Sequence, residues 1–215
     1  MGSQLTDLFG YSEANFPEGH PYKSVVAVPY AVTLPPVWLL GSSDFSAYLA
    51  AERGLGFVYA HHINGQDAIP AMRAYRDGFE PSKYRDRPRA MLAVSAICAE
   101  TNERAEYLAA SQDLVSLRIQ RSERTYIPSP DEALAYPYNA GERELVQHNR
   151  QRRFIGDPET VYAGISRLAQ QTGADEIMIV SMVYDHAERV KSYELLAEAF
   201  DINAQAANSI PCTAS

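Results

Sequence analysis

The chain has 215 residues, 46% of them hydrophobic and 21% charged, the balance of a folded protein with one substantial core or two small ones. Nineteen Lys and Arg against 27 Asp and Glu leave a net charge of −8, and the only basic run is Arg150-Gln151-Arg152-Arg153, which argues against nucleic acid as a partner. No apolar stretch reaches the ~20 residues of a membrane span and no charged-then-apolar leader is evident, while Cys98 in an apolar run and Cys212 in a polar tail point to reduced thiols in a cytoplasm.

Residues 1–36 are expected to form an extended N-terminal arm, because Pro17, Pro21, Pro29, Pro35 and Pro36 oppose a long helix, with a short edge strand over 23–28. Val37-Trp38-Leu39-Leu40 reads as a buried strand. Gly41-Ser42-Ser43-Asp44-Phe45-Ser46 turns it into a helix over 46–53 that Gly54 closes. A strand that enters a helix through Gly and hydroxyls leaves free backbone N–H groups at the positive helix end, which suits a phosphate. An ordinary Ser-capped helix start accounts for the same residues. The second strand, 57–60, ends in His61 and His62, and a helix over 66–79 follows, with Ile69, Met72 and Phe79 on its apolar face. Side-chain alternation along a strand sends one histidine inward, where it could hydrogen-bond a ligand or act as acid or base near neutral pH, and the other outward into packing. Histidines facing opposite ways cannot readily share an ion, so no metal site is expected.

After a charged turn at 85–89, the third strand, 90–98, is apolar on both faces, as buried parallel strands are. A helix over about 102–118 comes next. Residues 119–155, broken by Pro128, Pro130, Pro137 and Gly141, read as an inserted lid-like segment with one or two short helices, such as 141–150. Asp157-Pro158-Glu159 opens a helix whose stripe is Val161, Ile165 and Leu168, and Gly173 ends it. The fourth strand, 177–183, leads to Tyr184-Asp185-His186, where Tyr184 or His186 could line a substrate mouth and Asp185 could cap a last helix over about 187–200. The small, polar tail, 201–215, is expected to be flexible. Strands alternating with helices give an α/β fold with a parallel sheet.

Several segments, in this order, resemble the bacterial-luciferase-like flavin-dependent monooxygenases. They are Pro36-Val37-Trp38-Leu39-Leu40-Gly41-Ser42-Ser43 with Ser46, Phe57-Val58-Tyr59-Ala60-His61-His62, and Gly156-Asp157-Pro158-Glu159-Thr160-Val161. Thr172-Gly173-Ala174-Asp175-Glu176 and Tyr184-Asp185-His186, followed by Ser192-Tyr193-Glu194-Leu195-Leu196-Ala197, complete the set. The resemblance covers about residues 16–200 and implies TIM-barrel-type (β/α) units over 37–200. With only four strands, it implies a partial barrel, about strands five to eight of the eight that closure needs, whose edges another chain must cover. For the site it implies that Gly41, Ser42, Ser43 and Ser46 contact the phosphate of FMN, and that His61, His62 and His186 are catalytic. The implied reaction is oxygenation of a small organic substrate by O2, using reduced FMN delivered by a separate flavin reductase. A deazaflavin-dependent oxidoreductase and a non-catalytic, flavin-binding half-barrel held together as a homo-oligomer are the alternatives.

Overall fold

The apolar runs at 37–40, 57–60 and 90–98 form strands, and the run expected over 177–183 is a strand only as far as Val180, in the computed structural model, which describes residues 2–29 and 34–202. In chain order the elements are α1 (Gly2–Glu13), β1 (Trp38–Gly41), α2 (Asp44–Glu52), β2 (Gly56–Ala60), α3 (Ala68–Asp77) and β3 (Ala90–Cys98). They continue with α4 (Asn102–Gln120), α5 (Pro130–Ala135), α6 (Ala140–Arg150), β4 (Arg153–Gly156), α7 (Pro158–Thr172), β5 (Glu176–Val180) and α8 (His186–Ala199). The helix boundaries follow local chemistry. Asp157 accepts from the Thr160 amide with Pro158 in the first turn, and Gly173 closes α7 in the left-handed region at φ 63°. Ser129 and Asn139 each form a capping box, with Glu132 and Glu142 respectively.

All strand pairs are parallel. β1 pairs with β2 and β2 with the lower half of β3, while β5 runs along Met91–Ser95 on β3's other edge. The carbonyls of Arg89 and Ala93 accept from Phe57 and His62 on the β2 side, whereas those of Ala90 and Ala96 accept from Asp175 and the Ser181 hydroxyl on the β5 side. Ala99 donates to Gly156, and backbone alternation places that amide on the β2 side. β4 therefore pairs with Ser95–Cys98 beyond the end of β2, and the sheet has four columns.

The two sheet faces are packed differently. Phe57, Tyr59, Leu92, Val94, Ala96 and Cys98 point to one face, where α2, α3, α7 and α8 bury Ala47, Ala50, Met72, Tyr75, Ile165 and Leu196 against them. α4 lies on the opposite face, joining Ala105, Leu108 and Ala109 to Ile97 and Val183. Burial pushes the Cys98 thiol up to about 11, which leaves it un-ionised and unreactive at neutral pH.

The N-terminal segment departs from the extended arm. Residues 2–13 are helical because the first proline is Pro17, and Leu5 packs on Leu49 and Leu55. No strand forms over 23–28. A fifth strand also appears: Arg153–Gly156, whose first three residues fall within the segment read as an insertion over 119–155, finds free edge on the long β3. The tail from Asn203 lies outside the described residues.

Candidate functional site

The carboxyl ends of β1 and β2 present their loops side by side, the place where parallel sheets bind ligands. After β1 the chain turns at Gly41, Ser42 and Ser43 into α2. A Cβ on Gly41 would overlap the Ser46 hydroxyl, so the tight turn requires glycine. Ser46 is buried, and its hydroxyl donates to the Ser43 carbonyl at 2.9 Å, with the Ser43 hydroxyl 3.3 Å away. Ser43 is the N-cap residue, yet its side chain caps no amide of α2 and remains exposed. The pure capping account of these serines therefore fails. The Asp44 carboxylate does accept from the Phe45 amide at 2.8 Å, so an anion at the helix end must displace it.

The loop after β2 is built around Asn64. Its side-chain amide donates to the Ser42 carbonyl at 3.2 Å and to Asp67 at 2.9 Å, while its oxygen accepts from the Gln66 amide. Arg152, just before β4, reaches back to the Ile63 carbonyl at 3.0 Å. A cleft of about 380 Å³ opens here, lined by Asn64, Gln66, His148, Gln151 and Arg152.

His61 and His62 do not obey strand alternation, because β2 has already ended. The His61 amide donates to the Tyr59 carbonyl, and Ile63 and Asn64 both bond back to Ala60, so the two histidines sit in a turn. His61 is buried, with its ring stacked on Phe154 at 5.9 Å and Nδ1 lacking any partner. Burial first, and then the neighbouring His62, hold its imidazole below the ordinary 6.5. His62 turns instead to β3, with Nδ1 3.2 Å from the Ala93 carbonyl. His186 stands apart: it is exposed on the first turn of α8, where its Nδ1 meets Arg189 at 3.0 Å. Asp185 caps that helix through the Glu188 amide. Among the described residues no three His, Cys, Asp or Glu side chains are placed to hold a metal.

The sign of the His61 effect gives a testable result. Unfolded chains protonate this histidine near 6.5 and the folded protein only at lower pH, so its contribution is complete above 6.5 and declines as pH falls below it. Denaturant unfolding of wild type should therefore lose stability between pH 6.5 and about 5, above the carboxylate range, and His61→Gln should flatten that slope. An unchanged slope would show that His61 is already protonated or freely hydrated in the folded state.

Sequence reasoning missed Asn64 and Arg152, the two residues that lock the loops together. Asn64-Gly65 before a helix start is a turn signal, but nothing local indicates that its amide bonds to the β1 loop. A third group lies between α4, α6 and β4: the buried side chains of Asp113 and Arg153, with a half-buried Arg150 beside them. Beside it lies a cavity of about 430 Å³ walled by Tyr107, Ala110, Ala133, Leu134, Tyr138 and Val146.

A parallel sheet flanked by helices, with its loops at the carboxyl ends of the strands, defines an α/β fold. The profile of the luciferase-like monooxygenases matches residues 10–176, and the chain belongs to that family. It is 40% identical over 197 residues to the uncharacterized protein YceB of Bacillus subtilis (strain 168), covering 92% of this chain and 60% of YceB. A luciferase-like monooxygenase of Escherichia coli (strain K12) is 34% identical over 191 residues, covering 89% of this chain and 56% of its own length. The crystal structure of apo-MsnO8 superposes with a TM-score of 0.80 at 32% identity, over 94% of this chain and 60% of that one. The chain thus spans about 60% of the length of the relatives it matches. No helix among the described residues is long and apolar enough to cross a membrane.

Proposed function

We propose that this chain supplies the phosphate-holding side of a cytoplasmic, flavin-dependent monooxygenase site that uses reduced FMN, delivered by a separate flavin reductase, and O2 on a small organic substrate. The observation that carries the reading is the turn from β1 into α2. Gly41 keeps the backbone close, the first amides of α2 lie at the positive end of the helix, and the Ser43 hydroxyl is exposed and unused in capping. These groups fit a phosphate once the Asp44 carboxylate swings off the Phe45 amide. Ser42 holds its loop to Asn64 through its carbonyl, and Ser46 fixes the turn from beneath. When bound, the flavin supplies the redox chemistry; the chain's part is to bind, orient and exclude water. A neutral His61 packed on Phe154 can orient a ring nitrogen or hold a proton at Nδ1, with His62 beside it. His186, at the exposed start of α8, belongs to the substrate mouth, and residues 119–155 to a lid over it.

Titration with FMN and riboflavin tests the reading. FMN should bind about 10- to 100-fold more tightly, because a charge-assisted hydrogen bond is worth ~1.5–3 kcal/mol. Ser43→Ala should narrow the gap, and Asp44→Asn, which removes a like charge, should widen it. Equal affinity for the two flavins would overturn the assignment. The phosphate of a deazaflavin would use the same groups, and a parallel titration with that cofactor separates the two.

A further inference from the structure

The cavity between α4, α5 and α6 shares no wall residue with the loops that fit a flavin phosphate. α6 turns Arg143, Val146, Gln147 and Arg150 toward it, spaced i, i+3, i+4 and i+7, whereas His148 and the residues just past the helix line the cleft beside Asn64. The floor is Ala110 on α4 and Ala133 on α5, both buried and too short to fill the gap between the three helices. About 430 Å³ results, a volume in the range of small-molecule sites, with walls that are mostly apolar. Leu134 stands at its mouth and is 60% exposed, an apolar side chain with little cover of its own.

Charge decides what such a cavity accepts. Glu106 and Asp113 on its wall both pair with Arg150, and Asp113 also with Arg153, so two carboxylates are matched by two guanidiniums. Arg143 is the charge left over. It lies over the Tyr138 ring at 5.9 Å and forms no ion pair among the described residues. We propose that this cavity binds a small organic monoanion, a carboxylate on an apolar body. Arg143 takes the carboxylate, with the Gln147 amide one turn further along α6 as a neutral donor, while Leu134, Val146 and Tyr138 cover the apolar part. A cation of the same shape meets Arg143 as a like charge, and a neutral molecule gains nothing from it. The inference rests on this cavity alone, independent of any flavin.

Calorimetric titration of the flavin-free chain with naphthoate and with naphthamide, its neutral isostere, tests the assignment. Naphthoate should bind one per chain and about 10-fold more tightly than naphthamide, and naphthylmethylamine more weakly than either. Arg143→Gln should remove the preference for the carboxylate and leave naphthamide binding as it is, whereas Arg143→Lys, which keeps the charge, should retain part of it. Leu134→Glu sets a carboxylate at the mouth and should weaken naphthoate more than naphthamide. Arg143 and Leu134 are both exposed, so neither change threatens the fold, and far-ultraviolet circular dichroism checks that. Ser43→Ala should bind naphthoate as wild type does, which keeps this site apart from the turn after β1. No saturable binding of naphthoate, equal affinity for naphthoate and naphthamide, a preference that survives Arg143→Gln, or one lost in Ser43→Ala would each overturn the proposal.

Discussion

Asp113→Ala is expected to cost about 3–5 kcal/mol of stability, the usual loss when one member of a buried ion cluster is removed. Asp113 accepts from Arg150 at 2.7 and 2.9 Å and from Arg153 at 2.7 Å. The Arg153 side chain is only 4% exposed, and burial lowers its affinity for a proton while the Asp113 charge works to restore it. Without Asp113 that guanidinium keeps Ser116 as its side-chain acceptor, at 2.6 Å, and no counter-charge. Arg150 suffers less, because Glu106 pairs with it as well. Asp113→Asn should cost less than the alanine change, since an amide oxygen still accepts. Urea unfolding of both variants measures the difference, and a loss below about 1 kcal/mol for Asp113→Ala would mean that water reaches Arg153.

Gly41→Ala should damage both the fold and the flavin site. The new methyl overlaps the Oγ and Cβ of Ser46, which is itself buried against the turn, so the α2 start must shift. Overpacking of this kind costs about 1–3 kcal/mol. The shift also moves the Ser43 hydroxyl and the first amides of α2, so affinity for FMN should fall more than affinity for riboflavin. Adding Ser46→Gly removes the obstructing side chain, and the double variant should regain part of the lost stability. Equal losses for the two flavins would separate the turn from phosphate binding; full additivity of the two substitutions would show that the overlap is relieved elsewhere.

What the sequence determined by itself is the set of elements with strong local signals. The apolar runs at 37–40, 57–60 and 90–98, the Asp157-Pro158 start and the Gly173 stop are written in neighbouring residues, and the structure forms strands and helices there. The Gly-Ser turn after β1 was legible for the same reason, and so was the family. Tertiary structure decided the rest. Arg153–Gly156 is a strand only because β3 is long enough to offer it an edge. Residues 2–13 are helical because the prolines lie beyond them and Leu5 finds Leu49 and Leu55. His61 and His62 part company through a turn bonded to Tyr59 and Ala60, which no period-2 pattern encodes. Asn64, Arg152 and the Asp113 cluster join loops and helices 22 to 89 residues apart in the chain. Their partners are set by packing, because a buried charge or amide takes whichever group the fold places within reach, and local sequence carries no record of that distance.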